Sequence, residues 1–355
     1  FVEVAGGVAK IVAQNHQFLG VNNAIEALRR AKAGAAPRPT GAPSKGTPLG
    51  VFWHTQGSGK SYSMVLFSQK ALRKVKGNWT FVVVTDRDDL DDQIYKTFVS
   101  AGAVRVPSGT QGRKASVQAQ GREHLKALLQ ADHRYVFTLI QKFSTEVKGA
   151  KYPELSPRED VVVMADEAHR SQYDGFARNL RDALPNALYM AFTGTPLVEH
   201  EGGDAHDAAR VSERETKKTF GEYVSIYPFE EAIADEATVP LYYENRLPRI
   251  ELTDRDLGDR VFKLLEEAEL DEDQTRALRR ELAKLYSLLT DDRRLDEVAR
   301  DLVDHYTSRA SRGKAMVVSI DRFTAVEMCL RVKAHWQARI TALEAQRAAL
   351  PDTST

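Results

Sequence analysis

Cysteine is nearly missing from this chain of 355 residues. Cys329 stands alone, which excludes an internal disulfide framework and fits a reducing compartment, so a cytoplasmic setting is expected. Long apolar runs are missing too. No stretch reaches membrane-spanning length and no charged-then-apolar leader opens the chain, so no membrane partner is expected. An initiator methionine is also absent and the last residues read "PDTST", which suggests a piece of something larger. Net charge is absent as well, with 50 Lys and Arg against 50 Asp and Glu. That balance hides an asymmetry. Residues 1–150 carry 21 Lys and Arg against 10 Asp and Glu, and the remainder carries 29 against 40. A basic front half suits a polyanionic partner, although ordinary solvated surface charge is the other reading.

What is present is ordinary for a globular protein. Apolar residues make up 42% and charged residues 28%, enough at this length for a sizeable core and two domains. "IVAQNHQFLGVNNAIEALRRAKAG" carries apolar residues at helical spacing with glycine after it. "AAPRPTGAPSKGTP" predicts an exposed loop. "LGVFWH" and "WTFVVVTD" predict buried strands, followed by helices from Ser61 toward Lys76 and from "DRDDLDDQIYKTF". "RYVFTLI", "DVVVMAD" and "ALYMAFT" predict three further strands. Strands alternating with helices imply an α/β fold, a mostly parallel sheet with helices on both faces. Ligands in such folds sit at the carboxyl ends of the strands.

Three short stretches fall at those ends. "HTQGSGKS" follows a strand and opens a helix, the arrangement that a phosphate loop needs. Gly57 and Gly59 let backbone N–H groups turn inward, Lys60 can reach the β- and γ-phosphates of ATP, and Ser61 can hold Mg²⁺. Thr55, Gln56 and Ser58 complete the loop. His54 stands where the commoner pattern has glycine, which favours the shorter T-x-G-x-G-K-S/T form; a plain surface turn is the alternative. In "VVVMADEAHRSQ", Asp166 ends an apolar strand and would organise Mg²⁺, Glu167 would deprotonate the attacking water, and His169 would sense the γ-phosphate. Without a phosphate loop, the same acidic pair reads as a helix cap. In "AFTGTP", Thr193, Gly194 and Thr195 can couple nucleotide state to a neighbouring surface, or simply form a turn.

Taken in order, "HTQGSGKS", "VVTDRDDLDDQ", "LIQKF", "DEAHRSQY" and "AFTGTPL" resemble the core of superfamily 2 helicases. The wording of "DEAHRSQYDGFARNLRDALPNALYMAFTGTP" and "ADEATVPLYYENR" is narrower and resembles the motor (R) subunit of type I restriction enzymes, over nearly the whole chain. That resemblance implies a RecA-like first domain. It also implies that Gln17 contacts adenine, that Thr85, Asp86 and Arg87 border the DNA path, and that Thr138 and Gln141 lie on the DNA side. Leu139 departs from the threonine usual in that last motif.

The domain division expected is 1–225 for the first RecA-like ATPase domain. Residues 226–355 would hold a charged helical segment and the start of a second RecA-like domain. Residues 251–312 carry leucines at helical intervals, and "KAMVVSID" reads as the second domain's first strand, with "RFTAVEMCLRVKAHW" as its helix. No counterpart of the later motifs is found, and "EVK" at 146–148 lacks the aspartate of a nuclease constellation. The resemblance therefore implies an ATP-dependent double-stranded DNA translocase, partnered by methyltransferase (M) and specificity (S) subunits. The alternatives are a DEAH-type helicase or repair translocase that separates strands, and a nucleotide-gated DNA-binding scaffold with little turnover.

Overall fold

A strand covered on both faces must be apolar at successive positions, and "TFVVVT" is buried at all six. In the computed structural model that strand lies inside a six-stranded, wholly parallel sheet. The residues described are 2–4, 7–36, 39, 42–104, 117–145, 151–166, 174–194, 216–244, 246, 286–309 and 313–349. They form two compact units, Phe1–Leu241 and Tyr242–Thr355.

The first unit opens with an antiparallel pair, β1 (Val2–Val4) and β2 (Gly7–Ala9), which the sequence reading did not anticipate. Helix α1 (Asn15–Lys32) follows. The sheet then takes β3 (Thr47–His54), β4 (Thr80–Thr85), β5 (Tyr135–Leu139), β6 (Val161–Asp166), β7 (Leu188–Thr193) and β8 (Tyr223–Tyr227). Their spatial order is β5-β4-β6-β7-β3-β8. Between them come α2 (Lys60–Lys74), α3 (Asp88–Ser100), α4 (Arg122–Gln130) and α5 (Asp174–Ala183), and α6 (Phe229–Ala234) follows β8. The five strands read from sequence in this unit all form. β8 was not among them, although "YVSIY" carries the aromatic and β-branched content of a strand.

Period-two alternation divides the core. Phe52, Phe81, Val83, Phe137, Val162, Met164 and Phe192 face one side, with Leu28 of α1, Phe67 of α2 and Phe98 of α3. Val51, Val82, Val84, Val136, Val163 and Ala191 face the other, with Leu125 and Leu128 of α4 and Leu180 of α5. The result is three layers, helices on both faces of a parallel sheet. Helix α1 approaches unusually closely. A Cβ on Gly20 would lie 2.6 Å from the Ser225 hydroxyl and 2.7 Å from the Phe52 ring, so only glycine fits there.

In the second unit, α7 (Asp292–Ser308) and α8 (Arg322–Ala348) pack through Leu295, Ala299 and Met328. Each begins at an aspartate cap: Asp291 accepts from the N–H groups of Arg293 and Arg294, and Asp321 from that of Thr324. The expected helical residues 251–285 lie outside those described. "KAMVVSID" has the pattern of a strand but pairs with none among the described residues, and Met316 and Val318 are exposed. A strand needs a ladder to satisfy its backbone, and pattern alone supplies none. No described helix is long and apolar enough to cross a membrane.

Candidate active site at the carboxyl edge of the sheet

Parallel strands end at a common edge, and the strand register brings the singled-out residues to it. Asp166 lies opposite Phe192, Thr193 opposite Trp53, and His54 opposite Tyr227. Thr85 pairs with Leu139 farther along the same edge.

At the end of β3 the chain turns through residues 55–59 into α2. Gly57 and Gly59 hold φ of 89° and 81°, left-handed values that a side chain would strain. The turn closes on itself, with the Ser58 N–H donating to the Thr55 carbonyl at 3.1 Å. It is anchored to β8, because both the Thr55 N–H (2.9 Å) and its hydroxyl (3.1 Å) donate to the Tyr227 carbonyl. Gly59 caps α2, so the helix's opening N–H groups face the turn with their partial positive charge. Lys60 Nζ donates to the His54 carbonyl at 3.2 Å. It also lies against Gly194, where an added Cβ would come within 2.7 Å of it. The structure thus brings together the loop, Lys60, Thr193 and Gly194, and puts Asp166 on the next strand but one. Glu167, His169 and Thr195 lie outside the described residues.

Gln17 is 5% exposed and faces the loop backbone: Nε2 donates to the carbonyls of Gly59 at 3.1 Å and Ser58 at 3.4 Å. Its Oε1 accepts from the Gln14 N–H. Three residues that sequence reasoning missed pack behind the loop. His16 stacks flat on Tyr227, with centroids 3.7 Å apart and planes 10° apart, and reaches the Ser58 carbonyl with Nε2 at 3.0 Å. Ser225 lies 2.7 Å from His54 Nε2. The only sequence signal was the aromatic run "YVSIY" itself. His54, fully buried, is drawn down to about 3 by loss of solvent, then by His16 and Lys60 nearby. It is therefore neutral. Tyr227, whose hydroxyl donates to Asp235 at 2.9 Å, is pushed up to about 12 by desolvation and by that carboxylate.

Farther along the edge the environments diverge. Thr138 is wholly buried and Thr85 nearly so, which leaves neither a surface to offer a macromolecule. Arg87 is 60% exposed at the start of α3, beside Asp86 at 3.7 Å. Gln141 donates to the Asp86 carbonyl at 2.8 Å and so braces the turn that carries Arg87.

The residues suit magnesium nucleotide chemically. A left-handed glycine turn, a helix amino end and a lysine suit a polyphosphate, and a hydroxyl with a carboxylate at the same edge suits a hard cation.

Comparison with known proteins gives one family model, SWI2/SNF2 ATPase, matching residues 16–275. The type I restriction enzyme HindI endonuclease subunit of Haemophilus influenzae is 37% identical over 91% of this chain and 29% of its own length. A provisionally named relative, the type I restriction enzyme MjaIXP endonuclease subunit of Methanocaldococcus jannaschii, is 33% identical over 90% of this chain and 28% of its own. The chain thus spans under a third of the length of these relatives. A solved structure, the ATP-dependent Type ISP restriction-modification enzyme LlaBIII bound to DNA, is 14% identical over 64% of this chain and 16% of its own, at a TM-score of 0.41.

Proposed function

The chain belongs to the SWI2/SNF2 ATPase family, and on that premise we propose that it is the ATP-hydrolysing motor of a type I restriction enzyme, drawing double-stranded DNA through the complex before cleavage. The observation that carries this is the convergence at one sheet edge of the 55–59 turn, Lys60, Gly194 and the Asp166 strand end. The likeness to restriction-enzyme endonuclease subunits over nine-tenths of the chain narrows the class of motor.

In this reading the loop amides and Lys60 bind the ATP phosphates, Ser61 and Asp166 hold Mg²⁺, and Glu167 takes the proton of the attacking water. Mg²⁺ would supply neutralisation of phosphate charge when bound. Lys60 neutralises charge as it passes to the leaving phosphate, and its short tether to the His54 carbonyl keeps the ammonium at the loop. Gly194, against that ammonium, and its neighbour Thr193 are the residues we assign to sensing the γ-phosphate. Arg87, exposed on a braced turn, is the residue we assign to the DNA backbone. The M and S subunits would supply target recognition.

Lys60→Ala removes the cation facing the phosphates. The expected outcome in the assembled enzyme is loss of ATP turnover by orders of magnitude and failure of restriction, with methylation intact. Unchanged turnover would end the phosphate-loop assignment. Translocation has its own test: displacement of a third strand from linear duplex, without separation of a forked duplex. Separation of the fork would favour a helicase instead.

A further inference from the structure

We infer that His16 is a positioning residue for the phosphate loop: its Nε2–H holds the Ser58 carbonyl on α1 and thereby turns the Gly59 N–H toward the anion side. This rests on the reading of residues 55–61 as a phosphate loop and adds to it a residue outside the loop.

The geometry is set by the peptide plane. No peptide bond among the described residues is cis, so the carbonyl of Ser58 and the N–H of Gly59 point in opposite directions from one rigid unit. A carbonyl only accepts, so the His16 nitrogen 3.0 Å from Ser58 O carries a proton, and the neutral ring is the Nε2–H tautomer. Gln17 Nε2 acts on the same carbonyl at 3.4 Å and on the Gly59 carbonyl at 3.1 Å, where it joins the Tyr62 and Ser63 N–H groups in holding the following peptide and its Lys60 N–H. Two adjacent side chains of α1 therefore keep two carbonyls off the side where an anion would sit. A glycine on each side of Ser58 loosens the backbone about the Ser58–Gly59 peptide, which is why an external clamp matters there.

His16 is itself held from behind. It is 8% exposed, stacked on Tyr227 and edge-on to His54 with centroids 5.2 Å apart. Tyr227 in turn accepts from Thr55 through its carbonyl and donates to Asp235 through its hydroxyl. One residue of β8 thus fixes the first residue of the loop, Thr55, directly and the fourth, Ser58, through His16.

The test uses the 355-residue chain and titration calorimetry with Mg²⁺-tripolyphosphate, which probes the phosphate site without a nucleobase. His16→Phe keeps an aromatic ring on Tyr227 but has no donor. His16→Gln places an amide N–H where Nε2–H was. The expected result is a loss of about tenfold in affinity for His16→Phe, equivalent to ~1.4 kcal/mol, with the thermal midpoint near that of the unaltered chain. His16→Gln should recover most of the loss. His16→Leu, equally donor-free, gives the same comparison should the phenylalanine variant not fold. Wild-type affinity in the donor-free variants, with binding abolished by Lys60→Ala, overturns the role of His16 alone. Equal weakening in His16→Gln and His16→Phe overturns it too, since the donor would then be irrelevant. Wild-type affinity in Lys60→Ala overturns the phosphate-loop reading on which it stands.

Discussion

His54 occupies a position where many phosphate loops carry glycine, and its surroundings explain how the chain tolerates an imidazole there. The ring is buried among Phe52, His16 and Tyr227, with Nε2 against Ser225, so it serves as packing rather than as a charge. Such a residue has a pH signature. Its folded value is about 3, whereas the unfolded chain takes up the proton near the ordinary value for histidine. As pH falls through the ordinary value, the unfolded state binds a proton that the folded state refuses, so stability is lost across the interval down to the folded value. At about pH 5 the loss amounts to ~2 kcal/mol. Urea denaturation at a series of pH values should show this decline, and His54→Gln should flatten it. An equally steep decline in that variant would assign the acid sensitivity to other groups.

Among the elements, α1 shows how backbone contact transmits to chemistry. Gly20 permits it to rest on β3 and β8, and the same helix, one turn earlier, presents His16 and Gln17 to the loop. A side chain at Gly20 must push the helix off Phe52 and Ser225. Gly20→Val should therefore cost about 1–3 kcal/mol of stability, as overpacked sites do, and weaken Mg²⁺-nucleotide binding at the same time. Nucleotide affinity unchanged at reduced stability would separate α1 from the loop. The two loop glycines should differ in a related way. Both need left-handed φ, but a Cβ on Gly57 meets nothing within 4 Å while one on Gly59 meets Gln17 Nε2 at 2.7 Å. Both alanine variants carry strain of about 1–2 kcal/mol; only Gly59→Ala also displaces the α1 clamp. Nucleotide titration should therefore find Gly59→Ala the weaker binder, and equal affinities would count against the clamp.

For the whole molecule, charge is the property that composition states and architecture qualifies. The excess of Lys and Arg in residues 1–150 predicts duplex binding that falls steeply with salt, since each phosphate neutralised releases about 0.9 counterions. Arg87→Ala should lower affinity alike on any sequence and flatten the slope of affinity against salt, as filter binding across a salt series would measure. A changed sequence preference would instead mark a base contact. The layered α/β fold is legible in the amino-acid order, because strands buried on both faces read as continuous apolar runs, as "FVVV" and "VVVMA" do between helical stretches. That order also determined the loop, because glycines flanking a serine before "KS" carry their conformational requirement in their own identity. Which residues meet that loop follows from the packing of distant segments. β8 joins the sheet beside β3 from about 170 residues away, and no local pattern states which strand pairs with which. The pairing puts Tyr227 under His16 and against Thr55, and helix packing buries Thr138 while leaving Arg87 in solvent. Contacts between distant residues come from how sheet and helices close on one another, and that information is spread over the whole chain.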